Sequence, residues 1–195
     1  MDILIACAFS GILREALKNK GHNAWSCDLL PSEIRGQHYQ GSILNMDHYF
    51  GDHWTWDMMI AFPPCRYLTR AGARWWKGRE KEQKEALNFV RFLMNMSSIP
   101  KIAIENPPGA IGTNIRKADQ YIQPWEHGHT EKKMTGLWLK NLPKLIPSNM
   151  VKSKMDLLPE KEKNKCHYER PGVDRWKNRS RILPGIASAM ADQWG

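Results

Sequence analysis

Cys65 and Glu105 are the side chains of this sequence best suited by type and setting to covalent chemistry. Each stands at the end of an apolar run cut short by a double proline: Asp57-Met-Met-Ile-Ala-Phe-Pro-Pro-Cys65 and Lys101-Ile-Ala-Ile-Glu-Asn-Pro-Pro-Gly109. Such runs predict core strands that stop abruptly, because proline biases the residue before it away from helical geometry and cannot donate to a ladder. The carboxyl end of a strand is where an open α/β sheet collects its ligands. A free cysteine is mostly protonated at neutral pH, with a reference pKa of ~8.5, and the arginines that follow Cys65 favour its anion. A glutamate desolvated beside it keeps a proton at neutral pH and serves as a general acid, with Asn106 orienting the glutamate or its loop. A cysteine protease would need a paired histidine, an option that only His127 and His129 keep open.

The elements that must position these groups follow from the pattern along the chain. Asp2-Ile-Leu-Ile-Ala6 predicts a first strand, Cys7-Ala-Phe-Ser-Gly11 a turn of small residues, and Ile12 to Lys20 a helix that stops at Gly21. Asn23 to Asp28 predicts a second strand ending on a carboxylate, a place from which nucleotide-binding folds accept ribose hydroxyls. Taken alone, Asp28 reads equally well as a capping or solvated aspartate. Leu29 to Gly36 reads as loop, and His38 to Ile43 as a short third strand with its turn, followed by a segment carrying Asp47, Asp52 and three aromatics. Thr69 to Gly78 reads as a long mobile loop, and Arg79 to Met96 as an amphipathic helix whose methionines fill the core. Tyr121 to Trp125 and Thr135 to Leu139 read as paired strands. The segment at about 141–179 is polar and irregular, and Pro184 to Trp194 closes the chain with a helix. Strand, turn and helix in this alternation give a Rossmann-like α/β fold, a mostly parallel sheet flanked by helices.

With 195 residues and 42% apolar composition, the chain is expected to form a single domain, 1–195. No apolar run reaches spanning length and no signal-peptide pattern opens the sequence, so a soluble cytoplasmic protein without a membrane partner is expected. The four cysteines, Cys7, Cys27, Cys65 and Cys166, include no C-x-x-C pair, so neither a disulfide framework nor a metal site is signalled. The net charge of +9 points to a polyanion, nucleic acid before an anionic membrane surface. Arg66, Arg70 and Arg74 crowd behind Cys65, with Trp75 and Trp76 among them. The basic group around Lys161 to Arg170 is interleaved with acids and reads as a solvated face.

Thiolate addition combined with protonation of a ring nitrogen is what methylation of a pyrimidine carbon requires. Carbon 5 of cytosine becomes nucleophilic once carbon 6 has accepted a nucleophile and nitrogen 3 is protonated or hydrogen bonded. At this point the chain resembles the S-adenosylmethionine-dependent DNA cytosine-carbon-5 methyltransferases, in the compact form met in bacteriophage genomes. The resemblance rests on Ala8-Phe9-Ser10-Gly11, Asp28, Pro63-Pro64-Cys65, Glu105-Asn106, and Arg181 through Gly185-Ile-Ala-Ser-Ala189. It implies an S-adenosylmethionine site built from Ala8, Phe9, Ser10, Gly11, Asp28, Ser42, Ile43, Pro63 and Ala187, with Cys65 as nucleophile and Glu105 as acid. It also implies a cytosine flipped out of DNA and enclosed by the loop after the cysteine. Arg66, Arg70, Arg74, Arg179 and Arg181 would contact phosphates, and Trp75 or Trp76 would stack or fill the vacated space; the alternative is that the tryptophans cap the core.

The chain departs from the family pattern in several places. Ile12 follows Gly11 where a second glycine is usual, and Ser42 stands where an adenine-contacting aspartate is usual. The glutamine-arginine-arginine motif has no clear counterpart, with Gln123 in a suitable region and Lys132, Lys133, Arg179 and Arg181 as unassigned replacements. These 195 residues are not expected to include a large target-recognition domain, and sequence specificity is expected to be short, relaxed or supplied by a protein partner. Methylation of a free deoxycytidine nucleotide, and a non-catalytic DNA- or cofactor-binding relative, stand as alternatives. An amino-methyltransferase built on Asn106-Pro-Pro-Gly109 lacks the stacking aromatic after its prolines.

Overall fold

A computed structural model of the chain describes residues 1–51 and 55–195, without the side chains of Asp47, His48 and Trp75. The expectations attached to Asp47, Asp52 and the Trp75 ring lie outside the described residues. Its centre is a seven-stranded sheet. The strands are β1 (Asp2–Ala6), β2 (Asn23–Asp28), β3 (His38–Gln40), β4 (Met58–Ala61), β5 (Lys101–Asn106), β6 (Gln120–Ile122) and β7 (Thr135–Lys140). Their order is β3-β2-β1-β4-β5-β7-β6, and only β7 runs against the others. The predicted α/β class with a mostly parallel sheet is the observed one.

Alternation along β1 explains why both sheet faces are covered. Ile3 and Ile5 turn to one face and Leu4 and Ala6 to the other, and all are buried. On the first face lie α1 (Ile12–Lys18) and the closing helix, which pack on each other through Leu13, Leu17, Ala187 and Met190. The short α2 (Met46–Phe50) precedes β4. On the opposite face α3 (Glu80–Met94) buries Leu87, Val90 and Leu93, and α4 (Ala110–Asn114) adds Ala110 and Ile111.

Two expectations change. The Thr69–Gly78 stretch, expected as a long mobile loop, holds a 3-10 helix at Arg70–Trp75. It is anchored because Trp76 packs against the core beside Leu68. The irregular 141–179 stretch contains four short helices, α5 (Lys152–Asp156), α6 (Glu160–Lys163), α7 (Lys165–Tyr168) and α8 (Arg175–Ser180), before α9 (Pro184–Trp194). Polar, weakly periodic sequence hides such short helices because they carry almost no apolar face for periodicity to detect: α5 buries Met155, and α6, α7 and α8 bury no residue. No helix among the described residues is long and apolar enough to cross a membrane.

Candidate active site

The chain order reverses between β1 and β4, which are neighbours in the sheet. A crevice at the carboxyl ends of such strands is the expected ligand position, and the small-residue turn 7–11 and Pro63-Pro64-Cys65 both open there. Pro63 is buried and Cys65 half-buried. The Cys65 carbonyl accepts the amides of Leu68 (2.9 Å) and Thr69 (2.9 Å), so the cysteine begins a tight turn instead of a mobile tail.

The neighbouring strand end locks onto it. Asn106, 1% exposed, donates its side-chain amide to the Pro63 carbonyl at 2.8 Å. It therefore orients the cysteine's strand end, whereas the sequence suggested that it orients Glu105 or its loop. The Arg70 amide donates to Pro108 O (2.9 Å) and the Ala110 amide to Leu68 O (2.7 Å). A Cβ on Gly109 would run into the Leu68 carbonyl oxygen, so this approach requires glycine.

Glu105, half-buried beside this junction, accepts a hydrogen bond from the Thr135 hydroxyl at the start of β7. Burial pushes its carboxyl above the ordinary range, with the Lys133 ammonium and Thr135 opposing. Burial likewise raises the Cys65 thiol, and the Glu105 charge adds to it, while Lys133, a backbone amide and Arg179 pull the other way. Thiol and carboxyl thus share one electrostatic neighbourhood with Lys133. Burial and the Glu105 charge both work against the thiolate, and Lys133 opposes the shift at both groups.

The cations acting on the thiol are not those expected. Arg66 is exposed, with its guanidinium 5.4 Å from the Tyr67 ring, and Arg70 and Arg74 are exposed as well. Lys133 and Arg179 take the role assigned to them, because the turn after β4 carries its arginines outward while the segment before α9 returns over the strand ends. Trp76 packs against the core, so the core-capping alternative describes it.

On the candidate cofactor side, Phe9, Ser10 and Gly11 are buried and Ala8 half-buried. Gly11 adopts φ +74, and a Cβ there would press on Ile34 and Arg14. Cys7 opens the turn at φ 56, an uncommon conformation for a side-chain-bearing residue. Its thiol is pushed up by burial and by Asp28, and burial takes Cys27 up to about 12, so neither supplies a thiolate. Asp28 is half-buried; its Oδ1 accepts the Leu30 amide (2.9 Å), and burial raises its carboxyl. Ser42 caps the following 3-10 turn by accepting the Leu44 amide, and Ile43 belongs to the core.

Ala187 is a correction. It is fully buried in the core cluster that α1 and α9 share, so its side chain offers no surface to a ligand. Arg181 also has a different partner from the one expected. It forms a two-pronged pair with Glu33 (Nε to Oε2, 2.8 Å) and lies 5.9 Å from the Phe9 ring.

Sequence reasoning missed Arg14, Glu33 and Thr135. Arg14 is completely buried in α1 and donates to Ser26 Oγ (2.9 Å), Ser32 Oγ (3.0 Å) and Ile34 O (2.6 Å), pinning the loop after β2. An arginine on the apolar side of a short helix was the available signal. For Thr135 and Glu33 the sequence offered none, because their partners stand 30 and 148 residues away.

A small-residue turn at the switch point and a half-buried carboxylate at the end of the adjacent strand form a donor set that suits an adenosine cofactor: a tight turn for its sulfonium end and an acceptor for a ribose diol. No family model matches the sequence and no curated protein is similar to it. Among solved structures the chain is similar to a prophage-encoded E. coli protein provisionally described as a DNA modification methyltransferase, with a TM-score of 0.51 and 14% identity. The match covers 89% of this chain and spans 56% of the length of that one, and at this identity the likeness is one of fold.

Proposed function

We propose that the chain transfers a methyl group from S-adenosylmethionine to carbon 5 of cytosine in DNA through a covalent adduct with Cys65. The observation that carries this reading is the convergence of Cys65 and Glu105 at two latched strand ends, under the common influence of Lys133. The likeness to a protein described as a DNA modification methyltransferase supports it at the level of fold.

Asp28 and the 8–11 turn would hold the cofactor, which would supply an electrophilic methyl group when bound. Cys65, as thiolate, forms a bond to carbon 6 of the base. Glu105, carrying the proton that burial keeps on it, donates to ring nitrogen 3, so the added electron density collects at carbon 5. Thr135 fixes which way the carboxyl points, and Asn106 fixes the strand end from which the thiol attacks. After methylation, the carbon-5 proton is lost to solvent as its bonding pair re-forms the carbon 5–carbon 6 double bond and expels the thiolate, and the proton on nitrogen 3 returns to the Glu105 carboxylate, which restores the ring and both side chains. The basic charge of the chain supplies attraction to the polymer.

Incubation with labelled S-adenosylmethionine and duplex DNA, followed by nucleoside mass spectrometry, is expected to yield carbon-5-methylated cytosine with wild type and none with Cys65→Ser. Methylation of deoxycytidine nucleotide alone, uncompeted by duplex, would overturn the DNA substrate. Full activity of Cys65→Ser would overturn the covalent step.

A further inference from the structure

The segment Arg175–Arg181 touches both halves of the candidate site. Toward the cofactor side, Trp176 lies 6.4 Å from Phe9 between ring centroids, and Arg181 holds Glu33 with two guanidinium nitrogens while lying against the same Phe9 ring. The Glu33 amide in turn donates to the Phe9 carbonyl (2.9 Å), so the turn after β1, the loop after β2 and this segment close into one contact. Toward the thiol side, Lys133 Nζ donates to the carbonyls of Arg179 (2.8 Å) and Arg181 (3.4 Å), and both Lys133 and Arg179 bear on Cys65. The Arg179 Nε is buried and has no hydrogen-bond partner, whereas its carbonyl is held by Lys133.

We infer that Glu33 and Arg181 are positioning residues for the proposed methyl transfer: their pairing across the Phe9 turn fixes the strap that keeps Arg179 within electrostatic reach of Cys65. The inference rests on the methyl-transfer reading for its purpose, while the contact itself is independent of any ligand. Glu33 touches no reacting group. It acts through Arg181, whose main chain shares the Lys133 ammonium with that of Arg179. A strap fixed at both ends keeps a guanidinium in place at little entropic cost, whereas one released at the Glu33 end lets Arg179 swing toward water.

The test reads the reactivity of the thiol. The charged groups that bear on Cys65 are Glu105 from β5, Lys133 ahead of β7 and Arg179 from α8. Alkylation of the full-length protein by iodoacetamide, followed at the Cys65 peptide by mass spectrometry across pH 6 to 10, separates thiolate formation, seen in the midpoint, from accessibility, seen in the plateau. Arg179→Ala is expected to move the midpoint to higher pH. Glu33→Gln is expected to do the same, slowing alkylation at pH 8 by about threefold, the scale of withdrawing one partly screened cation. The sign discriminates, because deleting a distant carboxylate by itself favours the thiolate and moves the midpoint down. Arg181→Lys, which keeps one prong of the pair, is expected to fall between wild type and Arg181→Ala, and Glu33→Gln combined with Arg179→Ala to go no further than Arg179→Ala alone.

A Glu33→Gln midpoint at or below the wild-type value overturns the inference. So do additive effects in the double variant, or an Arg179→Ala midpoint that does not move. Calorimetry with S-adenosylhomocysteine on the same proteins keeps the two readings apart. Midpoints that move as expected in a protein that does not bind this ligand leave the positioning pair standing and remove the methyl-transfer reading. Tight binding with unmoved midpoints does the reverse.

Discussion

The two double-proline strand ends share a sequence pattern and have opposite structural roles. After β4 the pattern ends in Cys65, half-buried and facing Glu105, Lys133 and Arg179. After β5 it ends in Gly109, whose position a side chain cannot enter because the Leu68 carbonyl stands there. The second end is a latch and the first is what it holds: Asn106, Pro108 and Ala110 from the β5 side bond to Pro63, Arg70 and Leu68 from the β4 side. Double prolines suit both, since they stiffen the chain and leave few amides to satisfy. Identical punctuation in a sequence therefore marks two rigid partners without saying which carries the nucleophile. The residue in third place decides.

The largest expected effect tests the acid that the latch strand carries up to the thiol. Glu105→Gln keeps the size of the side chain and its contact with Thr135 but removes the transferable proton, so methyl transfer is expected to fall by about 10²–10⁴. Stability moves the other way. Burial raises the Glu105 pKa in the folded chain, so the native state binds the extra proton, and its stability declines as pH rises from the unfolded carboxylate range through the folded pKa. Thermal melts are therefore expected to show Glu105→Gln above wild type at pH 8, with the gap closing below about pH 4.3, where the unfolded carboxylate protonates too. A variant that melts lower than wild type at pH 8 would count against a desolvated carboxyl.

The latch is tested next. Cys65→Ala is expected to fold with its melting temperature close to wild type, whereas Gly109→Ala forces a backbone contact apart and is expected to cost about 2–4 kcal/mol in denaturant unfolding. Equal losses at the two positions would erase the distinction between held residue and latch. Asn106→Ala is smaller. It removes the bond to Pro63 O and leaves that buried carbonyl unpaired, for about 1–3 kcal/mol, but it also deletes an Oδ1 that is itself buried without a partner, which places the expectation at the lower end.

The sheet was legible in the sequence because its signals are local. β1, β2 and α9 fall at the residues expected of them, since each carries apolar residues at strand or helix spacing and is bounded by turn residues. Cys65 and Glu105 were found together because the same punctuation follows both strands. The electrostatics were not legible. Arg66, Arg70 and Arg74 are close to the cysteine along the chain and exposed in space, while Arg179 is far along the chain and bears on the thiol. Proximity in sequence predicts contact along a strand or helix, and fails where a polar segment returns over the sheet. Ala187 was misplaced for a related reason: an alanine at a helix seam and one lining a ligand pocket have the same local pattern, and only the packing of α9 on α1 separates them.

The smallest effect sharpens the comparison on the cysteine's side. The glycine latch is made of main-chain bonds that no pH between 4 and 8 alters, whereas the cysteine's surroundings depend on the strap that Glu33 holds. The hydrogen bond from Arg181 keeps the Glu33 carboxyl below its ordinary range. Its contribution is therefore present above the unfolded carboxylate pKa of about 4.3 and is lost as pH falls through the folded value. The pair is partly exposed, so the contribution is at most about 1 kcal/mol. Hydrogen exchange, corrected for the intrinsic pH dependence of amide rates, is expected to show protection at 175–181 falling as pH drops from 7 toward 3, while amides 68–70 and 110 keep theirs. In Glu33→Gln the strap's protection should be low and flat across the same range. Loss at both places in step would mean that the two strand ends open as one unit and that the strap adds nothing local.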